Sequence, residues 1–239
     1  IAFGFAFQVS RMFHLALGAN VLVALYFGLV LARAGSDLVE VVLLVVSAGA
    51  CFGAGVELLV YRALIRLGVP NSRMVIASLG VLVVCQSLIA WSFGTELKTI
   101  ETSPASGELL VLHLAIIAMT VVAAATLPSS WDHKVLMAVG ENPGLAATLG
   151  ISTERARLIA FALSGAAAGL LAVVLLFSVG ARPEYGLQYV LVGSVGTLVG
   201  GSRSFIGWIL GGAALGGVRL AALNALPNSG YVDLVTFLI

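Results

Sequence analysis

Charged residues are scarce in this chain. Only 10% of its 239 residues are charged, whereas 60% are hydrophobic. A soluble domain is about 25% charged and roughly 45–50% apolar, so the composition argues against a soluble protein. The formal net charge of +1 also provides no basic face for binding nucleic acid. Because several apolar runs approach or exceed the ~20 residues that cross a bilayer, we predict a membrane protein with several spans.

Sequence motifs of enzymes and metal sites are missing as well. There is no G-x-x-x-x-G-K-[ST] phosphate loop, no H-E-x-x-H zinc motif and no G-x-S-x-G nucleophile motif. The histidines are widely scattered, at His14, His113 and His133. The cysteines, Cys51 and Cys85, lie far apart without CxxC spacing. We therefore predict no enzyme active site and no metal site, and any ATP that the protein uses is bound by another chain.

Acidic groups inside the membrane, which an ion-coupled carrier needs, are few. Glu57 is the most interior acid, and Tyr61 and Arg62 follow it closely. This spacing favours a paired carboxylate near the cytoplasmic end of a span over a proton or sodium relay. An ion-coupled secondary carrier stays as an alternative, and so does an intramembrane enzyme.

Hydropathy predicts five membrane spans followed by a glycine-rich region that the sequence GGSRS interrupts. The predicted spans are 15–34, 38–60, 74–93, 110–127 and 158–179, and the glycine-rich region is 188–222. Another span starts after residue 231. Both chain ends lie in apolar sequence, so we expect a further helix beyond each of them.

Basic residues predict the orientation of these spans. They concentrate in the connections 61–73 and 128–157, whereas the connection 94–109 contains the acidic segment TELKTIETSPASGE. Lys and Arg are enriched in cytoplasmic loops. We therefore predict that 61–73 and 128–157 are cytoplasmic and that 94–109 faces outward.

Glycines recur at a spacing that is typical of close helix packing. Pairs separated by three residues let helix backbones approach closely in lipid. The spacing predicts a tight all-α bundle, with broken or re-entrant helices near the C-terminal part. The four pairs are Gly49 and Gly53, Gly165 and Gly169, Gly207 and Gly211, and Gly212 and Gly216.

The segment AVGENPGLAATLGI (138–151) predicts a short helix outside the membrane. Asn142 is a favourable N-cap, and Pro143 suits the first helical position. Gly150 is able to end the helix in the left-handed conformation. The pattern therefore predicts a break at Gly140–Asn142, a stub helix over 143–149, and a second break at Gly150.

The predicted stub helix has one apolar side. Leu145, Thr148 and Leu149 share that side at helical spacing. A short helix with an apolar edge is suited to docking in a groove of a partner protein. Folding back onto the chain's own spans is an equally good interpretation of the composition.

Three segments of the sequence resemble permease subunits of bacterial ABC importers for branched-chain amino acids, of the LivH/LivM type. The first is the stub region, which is similar to the family pattern a-x-x-x-N-p-x-x-A-x-x-x-G-I. The second, GTLVGGSRSFIGWILGGAALGG (196–217), resembles the family's GG-x-GS-x-x-G-x-x-x-GG segment. The third, ELLVYRALIR (57–66), resembles its first cytoplasmic connection. The matching residues in the stub region are Ala138, Asn142, Pro143, Ala146 or Ala147, Gly150 and Ile151.

The resemblance implies a function and a set of partners. It implies one transmembrane permease domain over 1–239, trimmed at both ends, in the bacterial inner membrane. A second permease subunit, two ATPase subunits that bind ATP and Mg²⁺, and an external substrate-binding protein would complete the importer, while this chain binds no cofactor. In the family, the loop that corresponds to 128–157 inserts into a cleft on the ATPase. The implied coupling residues are Ala138, Gly140, Glu141, Asn142, Pro143, Leu145, Ala146, Leu149 and Gly150.

The chain departs from the family pattern at three places, and the resemblance implies that the first two lie in membrane-embedded regions along the substrate path. HLALG (14–18) stands where the family has N-F-A-H-G, and an apolar residue near Val192 replaces a lysine. The family's proline after Tyr-Arg is Ala63 here. Branched-chain amino acids, other hydrophobic amino acids, urea and short amides therefore all stay open as substrates. The candidate residues of the substrate path are His14, Asn20, Val192 and Ser194.

Overall fold

The structure is a computed structural model that describes residues 1–100, 106–126, 130–201 and 204–225. These residues form a bundle of α-helices. In chain order the helices are α1 (Ala2–Ser10), α2 (Ala16–Arg33), α3 (Leu38–Val56), a π-helical turn (Glu57–Tyr61), α4 (Arg62–Arg66), α5 (Asn71–Phe93), α6 (Ser106–Thr126), α7 (Trp131–Glu141), α8 (Pro143–Thr148), α9 (Thr153–Ser178), α10 (Tyr185–Val199) and α11 (Phe205–Ala225).

Within the part of the chain that the structure describes, four helical segments are long and apolar enough to cross a membrane. They are α2, the continuous helix Leu38–Arg66, α5 and α9. Further apolar helical stretches lie at Gly107–Ala123 within α6, at Tyr185–Val199 and at Phe205–Ala221 within α11. The predicted all-α, polytopic helix bundle is therefore confirmed.

The core of the bundle surrounds α2, which packs between α3, α5, α9 and α10. Leu22, Leu25 and Leu29 on this helix have no exposed surface. The sequence of α2 is apolar around its whole circumference, as expected for a helix that other helices enclose. Lipid would accept the same side chains, so the contacts with the four neighbouring helices, rather than composition alone, bury α2.

A close helix crossing joins α3 and α9 through glycines. A Cβ atom built at Gly49 would collide with the carbonyl oxygen of Gly165, and one at Gly165 with the carbonyl oxygen of Gly49. A Cβ atom at Gly169 would lie 2.9 Å from the carbonyl oxygen of Val45. Gly53 approaches the carbonyl oxygen of Phe161 in the same way. The two backbones therefore leave no room for side chains along this crossing.

A second glycine crossing joins α10 and α11, which a break after Val199 separates. Gly207 packs against the backbone of Gly200, and Gly211 packs against that of Gly196. For the predicted pair Gly212 and Gly216, the Cα of Gly212 lies 3.3 Å from the position of a Cβ atom built at Gly196 on α10. A Cβ atom at Gly212 or Gly216 itself would meet nothing within 4 Å among the described residues. The equal spacing of the two pairs in the sequence therefore does not show which glycines leave no room for a side chain.

Helix α1 was not predicted from the sequence. Its nine residues are too few to register as a membrane span, yet the helix packs against α9. The Ser164 hydroxyl donates a hydrogen bond to the carbonyl oxygen of Ala2 at 2.7 Å. Trp208 of α11 closes over Gly4, where no side chain would fit.

Contacts between the connecting segments group them as the charge pattern predicts. Arg11 Nε donates a hydrogen bond to the carbonyl oxygen of Gly140 at 3.1 Å, which places the turn after α1 beside the 128–157 connection. At the opposite end of α9, Lys98 and Ala181 form an antiparallel bridge with N···O distances of 3.0 and 2.8 Å. Glu154 of the 128–157 connection forms an ion pair with Arg62 of the 61–73 connection. These two connections therefore lie at one end of the bundle and 94–109 at the other, as predicted, while the side that is cytoplasmic stays a prediction.

We expect a cysteine at Thr95 to react with an impermeant thiol reagent added outside intact cells, and a cysteine at Thr148 not to react. Both positions are exposed, and they lie in connections of opposite predicted side. The experiment uses a chain in which Cys51 and Cys85 are replaced by alanine. Labelling of Thr148→Cys but not of Thr95→Cys would reverse the orientation.

Candidate functional site

The stub helix α8 has well-formed ends. Asn142 has an extended conformation (φ −148°, ψ 92°), and its Oδ1 accepts a hydrogen bond from the backbone N–H of Leu145 at 2.9 Å. Pro143 occupies the first turn, where its missing N–H is not needed. At the other end Gly150 has φ +81°, a conformation that favours glycine. The local sequence therefore determines both ends of α8.

The break before α8 is shorter than predicted. Gly140 and Glu141 belong to the last turn of α7, and Asn142 alone interrupts the helix there. The prediction that the break starts at Gly140 is therefore wrong. A Cβ atom at Gly140 would collide with the carbonyl oxygen of Gln8, so this glycine allows α7 to approach α1 closely.

The side chains of α8 point in two directions. Ala146 is buried and joins a small apolar cluster. Leu145 and Leu149 are 57% and 71% exposed. The stub thus rests on its own helices through Ala146 and presents two leucines outward. The other members of the cluster are Val9, Leu136, Val139, Ala156 and Ala160.

Polar contacts fix the helix that precedes the stub. The Ser130 hydroxyl accepts a hydrogen bond from the backbone N–H of His133 at 3.2 Å, which caps α7. Burial lowers the pKa of His133, so its ring is neutral near pH 7. Arg11 donates to the last turn of α7, where a cation is favourable for the helix dipole. These contacts hold α7 and the stub against the bundle.

We expect Asn142→Ala to weaken α8 by about 1 kcal/mol, the usual cost of losing an N-cap side chain. The backbone N–H of Leu145 would lose its acceptor, while Ala146 would keep its apolar contacts. Hydrogen exchange of the amides of α8 measures the effect, with Asn142→Asp, which keeps an acceptor, as the control. Unchanged exchange in Asn142→Ala would show that the cap contributes nothing.

A second group of side chains lies at the π-helical turn between α3 and α4. We define the π-turn cluster as His14, Glu57, Tyr61, Arg157 and Phe161. Arg157 donates from Nε to Glu57 Oε1 at 2.7 Å and from Nη2 to Oε2 at 3.1 Å. The Tyr61 hydroxyl lies 2.7 Å from His14 Nδ1. The interior acid Glu57 is therefore paired, as its position in the sequence favoured.

Aromatic contacts close the π-turn cluster. The ring of Phe161 lies 4.8 Å from that of His14 and 5.3 Å from that of Tyr61, centroid to centroid. The guanidinium carbon of Arg157 is 5.8 Å from the centroid of Phe161, within cation–π range. The cluster thus connects the turn before α2, the end of α3 and the start of α9.

The four candidate residues of the substrate path lie in three different parts of the bundle. His14 belongs to the π-turn cluster, and Asn20 is buried beside the α3–α9 glycine crossing. Ser194 is buried on α10 and donates a hydrogen bond to the carbonyl oxygen of Leu191 at 2.7 Å. Val192 is partly buried on the same helix.

An apolar cleft of about 640 Å³ is lined by residues of α1, α2, α3, α6, α9, α10 and α11. None of the four candidates is among the described residues that line it. Sequence reasoning missed this cleft because apolar residues in a membrane span carry no signal for which side they face. The lining includes Leu17, Val21, Val46, Leu163, Val190 and Trp208.

These features together define a multi-pass membrane protein that presents a capped stub helix between two of its helices. The chain belongs to the family described as "Branched-chain amino acid transport system / permease component", whose sequence model matches residues 1–239.

Comparison with curated proteins gives one relative of this kind. It is a probable branched-chain amino acid transport permease protein LivH from the archaeon Methanocaldococcus jannaschii, 38% identical over 81 residues. The aligned stretch covers 34% of this chain and 26% of that protein. No solved structure matches this chain.

Proposed function

We propose that this chain is the membrane-spanning permease subunit of an ATP-driven importer that receives its substrate from an external binding protein. The observation that carries the proposal is the stub helix, which is capped at both ends and presents Leu145 and Leu149 to the surface. Family membership over 1–239 supports it. The whole described chain then serves as one permease domain, with 128–157 as its coupling loop.

The proposed partners divide the work of transport. Two ATPase subunits bind ATP and Mg²⁺, and one of them holds α8 in a cleft. A second permease subunit, identical or related, completes the translocation path. Nucleotide-driven motion reaches α8 first and passes to α7 and α9 through Ala146 and its cluster. The bundle then alternates between outward-open and inward-open states.

The proposed substrates are branched-chain or other hydrophobic amino acids. The apolar cleft of about 640 Å³ described above is lined almost entirely by apolar side chains. Such a lining suits an aliphatic group better than a small amide. Urea and short amides would need hydrogen-bonding groups that the described lining mostly lacks. Selectivity in such an importer rests largely on the external binding protein.

The paired state of Glu57 argues against an ion-coupled carrier. A proton or sodium relay through Glu57 would require its carboxylate to exchange Arg157 for a proton or an ion. Glu57 instead accepts two hydrogen bonds from Arg157, and its side chain is only 4% exposed. The ATP-driven importer is therefore the better interpretation.

Uptake by living cells tests the substrate class. Cells that lack the gene for this chain should lose binding-protein-dependent uptake of labelled leucine, isoleucine and valine, and regain it with the gene on a plasmid. Urea uptake in the same cells serves as the control. Loss of urea uptake alone would favour the amide permease, and unchanged uptake of every solute would contradict the proposal.

A further inference from the structure

The π-helical turn Glu57–Tyr61 interrupts an otherwise continuous α-helix from Leu38 to Arg66. Such turns are rare in proteins and often lie at functional sites. This one directs Glu57 and Tyr61 into the bundle, where they are 3% and 0% exposed, while Leu59 is 80% exposed. The turn therefore presents two polar side chains of one helix to α9 and to the segment before α2.

The ion pair at this turn has a fixed, bidentate geometry. Arg157 uses two N–H groups of its planar guanidinium on the two oxygens of Glu57. A bidentate pair of this kind specifies geometry as well as attraction. A buried ion pair contributes little net stability, because desolvation of both charges offsets their attraction. The ion pair therefore supplies a fixed geometry, which two apolar side chains at these positions would not supply.

The position of Arg157 along the chain connects the pair to the stub. Arg157 lies in the second turn of α9, and only residues 149–152 separate α8 from α9. At the same end of α9, Glu154 forms ion pairs with Arg62 and Arg66 on the surface. The start of α9 is therefore attached to the π-helical turn after α3 inside the bundle and to α4 at its surface.

We propose that Glu57 and Arg157 are a positioning pair that makes the end of α3 follow the start of α9 when α8 moves. The pair rests on the proposed function, since it needs a partner that moves α8. Tyr61 extends the attachment through its contact with His14 to the turn before α2. The glycine crossing of α3 with α9 carries the same motion deeper into the membrane.

The test compares two kinds of variant in the complete complex with its ATPase subunits and binding protein. The double variant Glu57→Met and Arg157→Leu keeps the volume and removes the charges, and Arg157→Lys keeps the charge but removes the two-pronged geometry. We expect both to assemble in wild-type amounts and to move about tenfold less labelled leucine per ATP hydrolysed. A loss of this size is typical when the coupling between two sites is removed. Glu40→Leu, which removes an exposed acid at the far end of α3, should keep the wild-type ratio.

Each other outcome overturns the positioning role. A wild-type ratio of leucine to ATP in both variants would show that the pair transmits nothing. Failure of both variants to assemble would show that the pair serves folding instead. The wild-type complex separates this inference from the proposed function. If the wild type imports leucine with ATP and the variants import as much leucine per ATP hydrolysed, the positioning role fails and the proposed function stands. If the wild type does not import leucine with ATP, the proposed function itself fails.

Discussion

Replacing Leu145 and Leu149 with glutamate is expected to abolish transport in a protein that still folds and inserts into the membrane. Both leucines are largely exposed on α8, so we expect the changes to disturb few contacts within the described chain. If the stub lies in an ATPase cleft, each glutamate would place an uncompensated charge at the contact. Such a charge costs about 3–5 kcal/mol, or a loss of more than ~100-fold in affinity.

The measurement is ATP-dependent uptake in membrane vesicles, together with the amount of ATPase that copurifies with the permease. Leu67→Glu provides the matched control, because Leu67 is 78% exposed on the same predicted side but lies outside the stub. That control should transport normally. Wild-type transport by the double glutamate variant would show that the stub has no role in coupling.

Gly165→Leu is expected to prevent the bundle from forming. Even a Cβ atom at Gly165 would collide with the carbonyl oxygen of Gly49, and the obstacle is backbone that cannot rotate away. Overpacking of a core usually lowers stability by about 1–3 kcal/mol and sometimes by more. We expect the destabilisation of Gly165→Leu to lie at the upper end of this range. In lipid, loss of the close approach also removes the van der Waals contact that holds such helices together.

The yield of monodisperse protein in detergent and its thermal unfolding measure this effect. Gly80→Leu serves as the control, because Gly80 lies in the spanning helix α5 and a Cβ atom there meets nothing within 4 Å among the described residues. That variant should purify like the wild type. Equal yields of Gly165→Leu and Gly80→Leu would contradict the close crossing.

The sequence predicted best those features that depend on neighbouring residues. The cap at Asn142, the proline at Pro143 and the left-handed glycine at Gly150 act within a few residues of one another, so local chemistry determines the stub. The same holds for the long apolar spans, whose composition alone requires a membrane. These features could be predicted because no distant contact decides them.

Features that depend on distant residues could not be predicted in this way. Glu57 and Arg157 are 100 residues apart, and the local sequence around each residue does not identify the other as its partner. Gly140 was interpreted as a break because glycine weakens helices, whereas the nearness of Gln8 decides its role. The spacing of glycines on α11 likewise does not show which side faces α10. Tertiary contacts determine all three.

ATP-driven uptake in reconstituted vesicles tests the central claim most directly. Vesicles would contain the full-length permease with its second permease subunit and its ATPase subunits, with the binding protein and labelled leucine outside and ATP inside. We predict accumulation of leucine that requires both ATP and the binding protein and that persists when ionophores collapse every ion gradient. Uptake by the permease alone, driven by an ion gradient and indifferent to ATP, would contradict the account.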